Sequence, residues 1–159
     1  MAERVFTQVY VAVGALIEKE GKFLLVQEAR GESAGKWNHP AGWLDVGEDP
    51  VKGAIREVKE ETGYDFNPEH IIGIYSRVKP EARNAECGLG HNFKVIYTGT
   101  ISGEGSGHSS EIAATGWFTS AEIEDMNRRG KIRHPDMLPS IKDYMARKRY
   151  PLDVVNHFS

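Results

Sequence analysis

The segment 42–64 constrains this chain more than any other, because it joins a glycine-punctuated loop to a sharply delimited helix. Asp49 suits the N-cap of a helix, and Pro50 suits the first helical position, where the missing N–H is not needed. Gly63 suits the residue that follows the last turn, since it adopts a left-handed conformation without strain. The sequence therefore predicts a helix from Pro50 to about Thr62.

This helix carries two faces of different composition. With about 3.6 residues per turn, an apolar face is predicted to point into the core. Its members are Val51, Ala54, Ile55 and Val58. Glu57, Glu60 and Glu61 are spaced i, i+3, i+4 and share a neighbouring face. Such carboxylates repel one another unless they are solvated or enclose a cation, so the helix alone leaves two interpretations: a solvated acidic face, or a site for a hard ion such as Mg²⁺ or Mn²⁺.

The rest of the chain predicts a mixture of strands and helices. Strands are predicted at 9–17 and 23–27, paired as a hairpin, and at 71–78, 92–101 and 116–118. Two further helices are predicted, one capped by Thr119 or Ser120 and one at 139–149. Because the elements do not alternate regularly, an α+β or α/β/α architecture is favoured. The length of 159 residues fits one domain spanning 1–159.

Charge and cysteine content narrow the possible partners and compartment. A net charge of −3 gives no general reason to expect binding to nucleic acid or to a membrane. Cys87 is the only cysteine, so an intramolecular disulfide is impossible, which suits a reducing cytosol. The first residues fit neither a secretory signal nor a membrane span. We therefore expect a cytoplasmic protein that binds neither nucleic acid nor membrane.

Residues 42–64 resemble a complete Nudix box. They read Gly, five residues, Glu, seven residues, then Arg-Glu-Val-x-Glu-Glu-x-Gly-Tyr, which fills every charged and glycine position of the family pattern. Only Tyr64 departs from it, mildly, since an aliphatic residue is usual there. The order of the predicted elements also follows the family over most of the chain. The resemblance to MutT-like Nudix hydrolases implies a Nudix α/β/α sandwich with a mixed β-sheet, and Mg²⁺-dependent hydrolysis of a pyrophosphate bond in a small phosphorylated substrate.

The resemblance also implies which residues hold the metal. The ligands that it implies are Glu57, Glu60, Glu61 and the carbonyl of Ala41. One of the glutamates, Glu57 or Glu60, would also accept the proton of the attacking water. The expected cofactor is Mg²⁺, with Mn²⁺ as an alternative.

Other positions are expected to support these ligands. Arg56 resembles the family arginine that orients a catalytic glutamate, and Glu48 resembles its partner; a supporting role and direct contact with the reacting groups both stay open. Gly42 and Gly63 are expected to serve backbone geometry. Glu111 lies in the loop before the last predicted strand, where many relatives place another metal ligand or base; the alternative is a surface glutamate.

Substrate contacts are less constrained, because each candidate side chain also suits a surface or core position. The candidates are Arg30, Lys36, Trp37, His39, Lys94 and Arg133, with His91 as a further polar residue and Tyr97 as a further ring. Their types suit a phosphorylated molecule that carries a heterocycle.

Several functional alternatives stay open. Residues 37–42 and the tail from 132–135 through 149–152 resemble small bacterial phosphatases that act on hydroxymethylpyrimidine and thiamine pyrophosphates and on nucleoside di- and triphosphates. Residues 24–29 resemble instead a branch that cleaves oxidised guanine nucleoside diphosphates. An ADP-ribose or dinucleotide pyrophosphatase is an alternative enzyme, and a non-catalytic ligand sensor is an alternative of another class. The protein is expected to be a monomer or a homodimer.

Overall fold

The strands that the structure describes belong to two sheets. The computed structural model describes residues 9–78, 90–105 and 109–158. The strands are β1 (Tyr10–Ala15), β2 (Glu18–Lys19), β3 (Lys22–Glu28), β4 (Trp37–Asn38), β5 (Ala41–Trp43), β6 (Asp65–Val78), β7 (His91–Ser102) and β8 (Ile112–Phe118). The helices are α1 (Pro50–Thr62), α2 (Ser120–Arg128) and α3 (Met137–Met145). None of these helices is long and apolar enough to cross a membrane.

The first sheet is mixed and has the order β5-β1-β7-β6. β1 runs parallel to β7, whereas the β1–β5 and β6–β7 pairs are antiparallel. The second sheet pairs β3 with β2, β4 and β8, all antiparallel.

Helices cover the two sides of these strands. Since side chains alternate along a strand, Val95 and Ile96 of β7 enter different apolar clusters. Val95 packs in one cluster with Ala54 and Val58 of α1, and Ile96 packs in the other with residues of α2 and α3. This arrangement confirms the predicted α/β/α sandwich with a mixed β-sheet.

The N-terminal hairpin differs from its prediction. The first strand ends at Ala15 and lies between β5 and β7, so it does not pair with β3. The hairpin is formed instead by β2 and β3, with Glu18 opposite Phe23. The apolar run 9–17 is therefore not one strand: β1 of the first sheet ends at Ala15, and the chain enters the second sheet at Glu18.

The helix α1 has the predicted ends, but one of its predicted core residues is exposed. Asp49 accepts a hydrogen bond from the Val51 N–H at 2.8 Å, and Gly63 has the left-handed φ of 78°. Ile55 is 36% exposed, so its predicted core position is wrong. Gly53 lies against the sheet instead: a Cβ there would be 2.9 Å from Leu44 Cδ1. The helix approaches so closely because Gly53 has no side chain.

The last helix also differs from its predicted position. It runs over Met137–Met145 rather than 139–149. The sequence predicts Pro139 as the first residue of this helix, whereas Pro139 is its third residue, within the first turn, where a missing N–H is tolerated.

A buried histidine makes the stability of this fold sensitive to acid. His39 follows β4 and is fully buried, and among the described residues neither ring nitrogen has a hydrogen-bond partner. Burial, and secondarily the charge of Lys94, lower the pKa of His39 from 6.5 to about 3. The histidine is therefore neutral in the folded protein, while the unfolded chain takes up a proton as the pH falls below about 6.5.

We expect this difference to reduce the free energy of unfolding by about 2 kcal/mol between about pH 7 and about pH 5. The contribution is present above the unfolded pKa and is lost as the pH falls toward the folded pKa of about 3. Urea unfolding of the wild type and of His39→Phe at both pH values isolates the contribution of His39 to the free energy of unfolding. The other titrating groups are common to both proteins. An equal pH-dependent loss in the two proteins would contradict this account.

Candidate active site

One cleft brings together charged residues from both sheets, α1 and the loop before α3. Its volume is about 370 Å³. Its acidic lining residues are Glu28, Asp45, Glu57, Glu60, Glu61 and Glu111. Its basic lining residues are Arg56, Arg77, Lys94 and Arg133. The cleft therefore contains both oxygen ligands for a cation and positive side chains for an anion.

Arg56, which lines this cleft, connects three carboxylates. Its Nε donates to Glu48 Oε1 at 2.7 Å, and its Nη2 donates to Glu48 Oε2 at 2.9 Å, which forms a two-pronged ion pair. Its Nη1 donates to Glu57 Oε1 at 2.7 Å and reaches Glu60 Oε2 at 3.4 Å. The hydrogen bonds from Arg56 lower the pKa of Glu48. Arg56 thus fixes the orientation of Glu57 relative to the loop that carries Glu48.

Gly42 is required by the close approach of Glu57. A Cβ at residue 42 would lie 2.3 Å from the carboxylate carbon and both carboxylate oxygens of Glu57. Any other residue would force that carboxylate or strand β5 to move. The Glu57 side chain is only 11% exposed, and burial raises its pKa. Gly42 therefore leaves the space that the Glu57 carboxylate occupies. Gly63, the last glycine of the box, has a different role, since its positive φ ends α1.

Glu61 contacts the first residue of the same strand, β5. Its Oε2 accepts a hydrogen bond from the Ala41 N–H at 2.8 Å. Burial raises the pKa of Glu61 to about 8, and the negative charges of Glu57 and Glu28 act in the same direction. Without a cation nearby, Glu61 therefore tends to hold a proton at neutral pH.

Glu111 reaches the cleft because its loop is anchored at two points. The Ser109 N–H donates to the Glu60 carbonyl at 2.8 Å, and the Ala29 N–H donates to the Glu111 carbonyl at 2.8 Å. These bonds hold the loop between the end of α1 and the end of β3. The Glu111 side chain lines the cleft and is exposed.

The donor chemistry of the cleft fits a hard divalent cation. The carboxylates are oxygen ligands, two of them have raised pKa values, and their mutual repulsion would be relieved by a cation. Within the described residues, however, no three acidic, histidine or cysteine side chains lie close enough together to coordinate a metal ion without moving. Arg56 draws Glu57 and Glu60 toward itself, so holding a cation requires small side-chain movements.

Only part of the predicted substrate set lies in this cleft. Lys94 and Arg133 line it, whereas the described lining does not include Arg30, Lys36, Trp37 and His39. Trp37 packs against Phe118, with ring centroids 4.8 Å apart. The predicted stacking role of Tyr97 is wrong, because that ring is fully buried in the core. His91 bonds instead to Ser76, at 2.9 Å.

The predicted contacts that do line the cleft are already paired with carboxylates. Lys94 Nζ lies 3.0 Å from Asp136 Oδ2, and both side chains are largely buried. Arg133 Nη1 lies 2.5 Å from Glu28 Oε1. If Lys94 or Arg133 contacts a phosphate group, its positive charge is therefore divided between the phosphate and the carboxylate that it already contacts.

The lining residues that were not identified from the sequence include Glu28, Trp43, Arg77 and His134. Only Trp43 gave a local signal, as a large aromatic residue at a variable position of the box. It is 48% exposed and lies next to Tyr10, with ring centroids 5.8 Å apart. The other three reach the cleft through long-range contacts; Glu28 and Arg133, for example, are 105 residues apart.

Comparison with known proteins assigns this chain to a family. The NUDIX domain model matches residues 8–141. Phosphatase NudJ of Shigella boydii is 31% identical over 150 residues, which are 94% of this chain and 92% of that protein. A NUDIX hydrolase from Nitrosomonas europaea has a TM-score of 0.83 and 34% identity, covering 95% of this chain and 98% of that chain. An ADP-ribose pyrophosphatase from Streptococcus suis has a TM-score of 0.53 and 28% identity, covering 70% of this chain and 75% of that chain.

The chain therefore belongs to the NUDIX family. It is a hydrolase that acts on phosphorus-containing anhydrides. Members of this family generally use divalent metal ions, and the oxygen donors of the cleft agree with that requirement.

Proposed function

We propose that this protein hydrolyses a pyrophosphate bond in a nucleoside di- or triphosphate, or in a related organic pyrophosphate, and that it depends on Mg²⁺. The observation that carries the proposal is the cleft itself, where the box glutamates of α1 lie beside Lys94 and Arg133. Similarity over 94% of the chain to proteins named as phosphatases supports the same class of reaction.

The carboxylates would serve the reaction in two ways. Glu57, Glu60 and Glu61, with the carbonyl of Ala41, would hold Mg²⁺, which when bound offsets phosphate charge and lowers the pKa of water. Arg56 keeps Glu57 oriented through its 2.7 Å contact, and so preserves the geometry of the cluster. A glutamate then accepts the proton of the attacking water: Glu57 or Glu60 from α1, or Glu111 from the anchored loop.

A phosphate-release screen tests this proposal. The purified protein is incubated with nucleoside di- and triphosphates, oxidised guanine nucleotides and thiamine-precursor pyrophosphates, with MgCl₂, with MnCl₂ or with EDTA. We expect release of phosphate or pyrophosphate from at least one substrate, with Mg²⁺ and not with EDTA. Failure to cleave any of these substrates with either metal would overturn the proposal.

An ADP-ribose pyrophosphatase is the second candidate, favoured by the 28% identity to the Streptococcus suis protein. Product analysis separates the two, because cleavage of ADP-ribose yields two phosphate monoesters. A non-catalytic sensor is less favoured, since all the box carboxylates are present. Calorimetric binding of a nucleotide without product release would support the sensor.

Trp43 is expected to contact the organic part of the substrate. Its ring is the largest half-exposed apolar surface among the described residues that line the cleft, and exposed aromatic rings stack well on heterocycles. We expect Trp43→Ala to raise KM for a nucleotide substrate by roughly tenfold, which corresponds to about 1.4 kcal/mol of lost stacking. KM for inorganic tripolyphosphate, which has no ring, should change little. Equal effects on both substrates would exclude the stacking role.

A further inference from the structure

Arg77 is distinguished from the other cationic residues of the cleft by its partners. It lies near the end of β6, opposite Asn92 of β7, and both residues line the cleft. Arg56, Lys94 and Arg133 each contact a carboxylate, at 2.7 Å, 3.0 Å and 2.5 Å respectively. Within the described ranges, the only side-chain partner of Arg77 is Nδ1 of His134, at 2.8 Å.

This partner orients Arg77 without neutralising it. A guanidinium group can only donate hydrogen bonds, so Nδ1 of His134 accepts and the histidine proton is on Nε2. Burial, and then the charges of Lys94 and Arg133, lower the pKa of His134, which keeps the ring neutral. Since one hydrogen bond uses one of the five N–H groups of Arg77, donors remain for a ligand.

The local composition favours an anion as that ligand. Within the described residues the guanidinium of Arg77 has no carboxylate partner, and such a charged fork of N–H donors matches the oxygens of a phosphate group. Asn92 adds an amide to the same lining. The carboxylates of the cleft, in contrast, suit a cation, so the anion contacted by Arg77 and the cation held by Glu57 and Glu60 would be neighbours in one site.

We propose that Arg77, oriented by His134, forms a phosphate-binding subsite that holds the diphosphate group of the substrate in the cleft. The inference rests on the proposed function, because it takes the diphosphate as the ligand. It predicts that Arg77 contributes mainly to binding and that His134 contributes through Arg77.

Steady-state kinetics with the best substrate of the screen test this subsite. We expect Arg77→Gln to raise KM by roughly 10- to 100-fold, as loss of a charged hydrogen bond implies, with a smaller change in kcat. Arg77→Lys should recover part of the affinity, and His134→Phe should raise KM less than Arg77→Gln does. Arg128→Gln is the matched control, because Arg128 is an exposed arginine of α2 that pairs with Asp125.

Direct binding separates failure of the subsite from failure of the proposed function. Calorimetric titration with methylenediphosphonate in MgCl₂ requires no turnover, so it reports on Arg77 even if the screen finds no substrate. Weaker binding by Arg77→Gln, with unchanged thermal unfolding, supports the subsite. Affinity and KM within about twofold of wild type would overturn it; if Arg77→Gln does not fold, the same comparison with Arg77→Lys decides the question.

Discussion

Replacing Glu57 by glutamine is expected to lower kcat by at least about a thousandfold while the fold survives. Glutamine keeps the shape of the side chain and retains an oxygen that can accept from Arg56 Nη1, which lies 2.7 Å from Glu57 Oε1. It removes the negative charge, however, on which both cation binding and proton acceptance depend. The measurement is phosphate release under saturating substrate, with thermal unfolding as a check on the fold.

The control for this substitution is Glu124→Gln, which changes an exposed glutamate of α2 in the same way. Its rate should equal that of the wild type. Glu60→Gln should behave like Glu57→Gln, because the two carboxylates lie one turn apart and share Arg56. Near-wild-type rates from both Glu57→Gln and Glu60→Gln would contradict a catalytic role for these glutamates.

Arg56→Ala is expected to reduce the free energy of unfolding in EDTA by about 3 kcal/mol. The substitution leaves Glu48 and Glu57 without a counterion, although their side chains are only 17% and 11% exposed. Burial already raises the pKa of Glu57, so the loss of Arg56 would raise it further. Urea unfolding near neutral pH measures the loss.

Divalent metal provides a second test of the same charge cluster. MgCl₂ should stabilise the wild type, and it should stabilise Arg56→Ala more, because the freed carboxylates have lost the cation that they contact. Arg128→Ala is the matched control: its ion pair with Asp125 is exposed, so its loss should be within about 1 kcal/mol and independent of metal. Equal losses in the two arginine variants, or equal stabilisation by MgCl₂, would contradict the counterion role of Arg56.

The helix α1 was predictable because its determinants are local. An N-cap, a proline and a terminal glycine act within their own turns, and the observed ends are Pro50 and Thr62. The predicted core position of Ile55 is wrong because the spacing of apolar residues gives the direction of a helix face but not its width. The helix approaches Leu44 closely at Gly53, so the buried face of the helix includes Gly53 and does not extend to Ile55.

The pairing of the first strands was not predictable from adjacency. Residues 9–17 read as one arm of a hairpin because nearby strands often pair. β1 lies instead between β5 and β7, and β2 takes the place next to β3. This choice depends on which apolar faces are covered by helices, and the alternation of residues within one strand does not contain that information.

The sequence by itself determined the family and the helix that carries the glutamates, because these depend on spacing within a single turn and on an unbroken motif. Only the tertiary structure decided which distant residues complete the cleft. In the tertiary structure, Glu28, Arg77 and His134 line the same cleft as the box glutamates, and Tyr97 lies in the core. The physical reason is that sheet register and desolvation, rather than residue type, decide whether a charged or aromatic side chain faces a cleft, a partner or the interior.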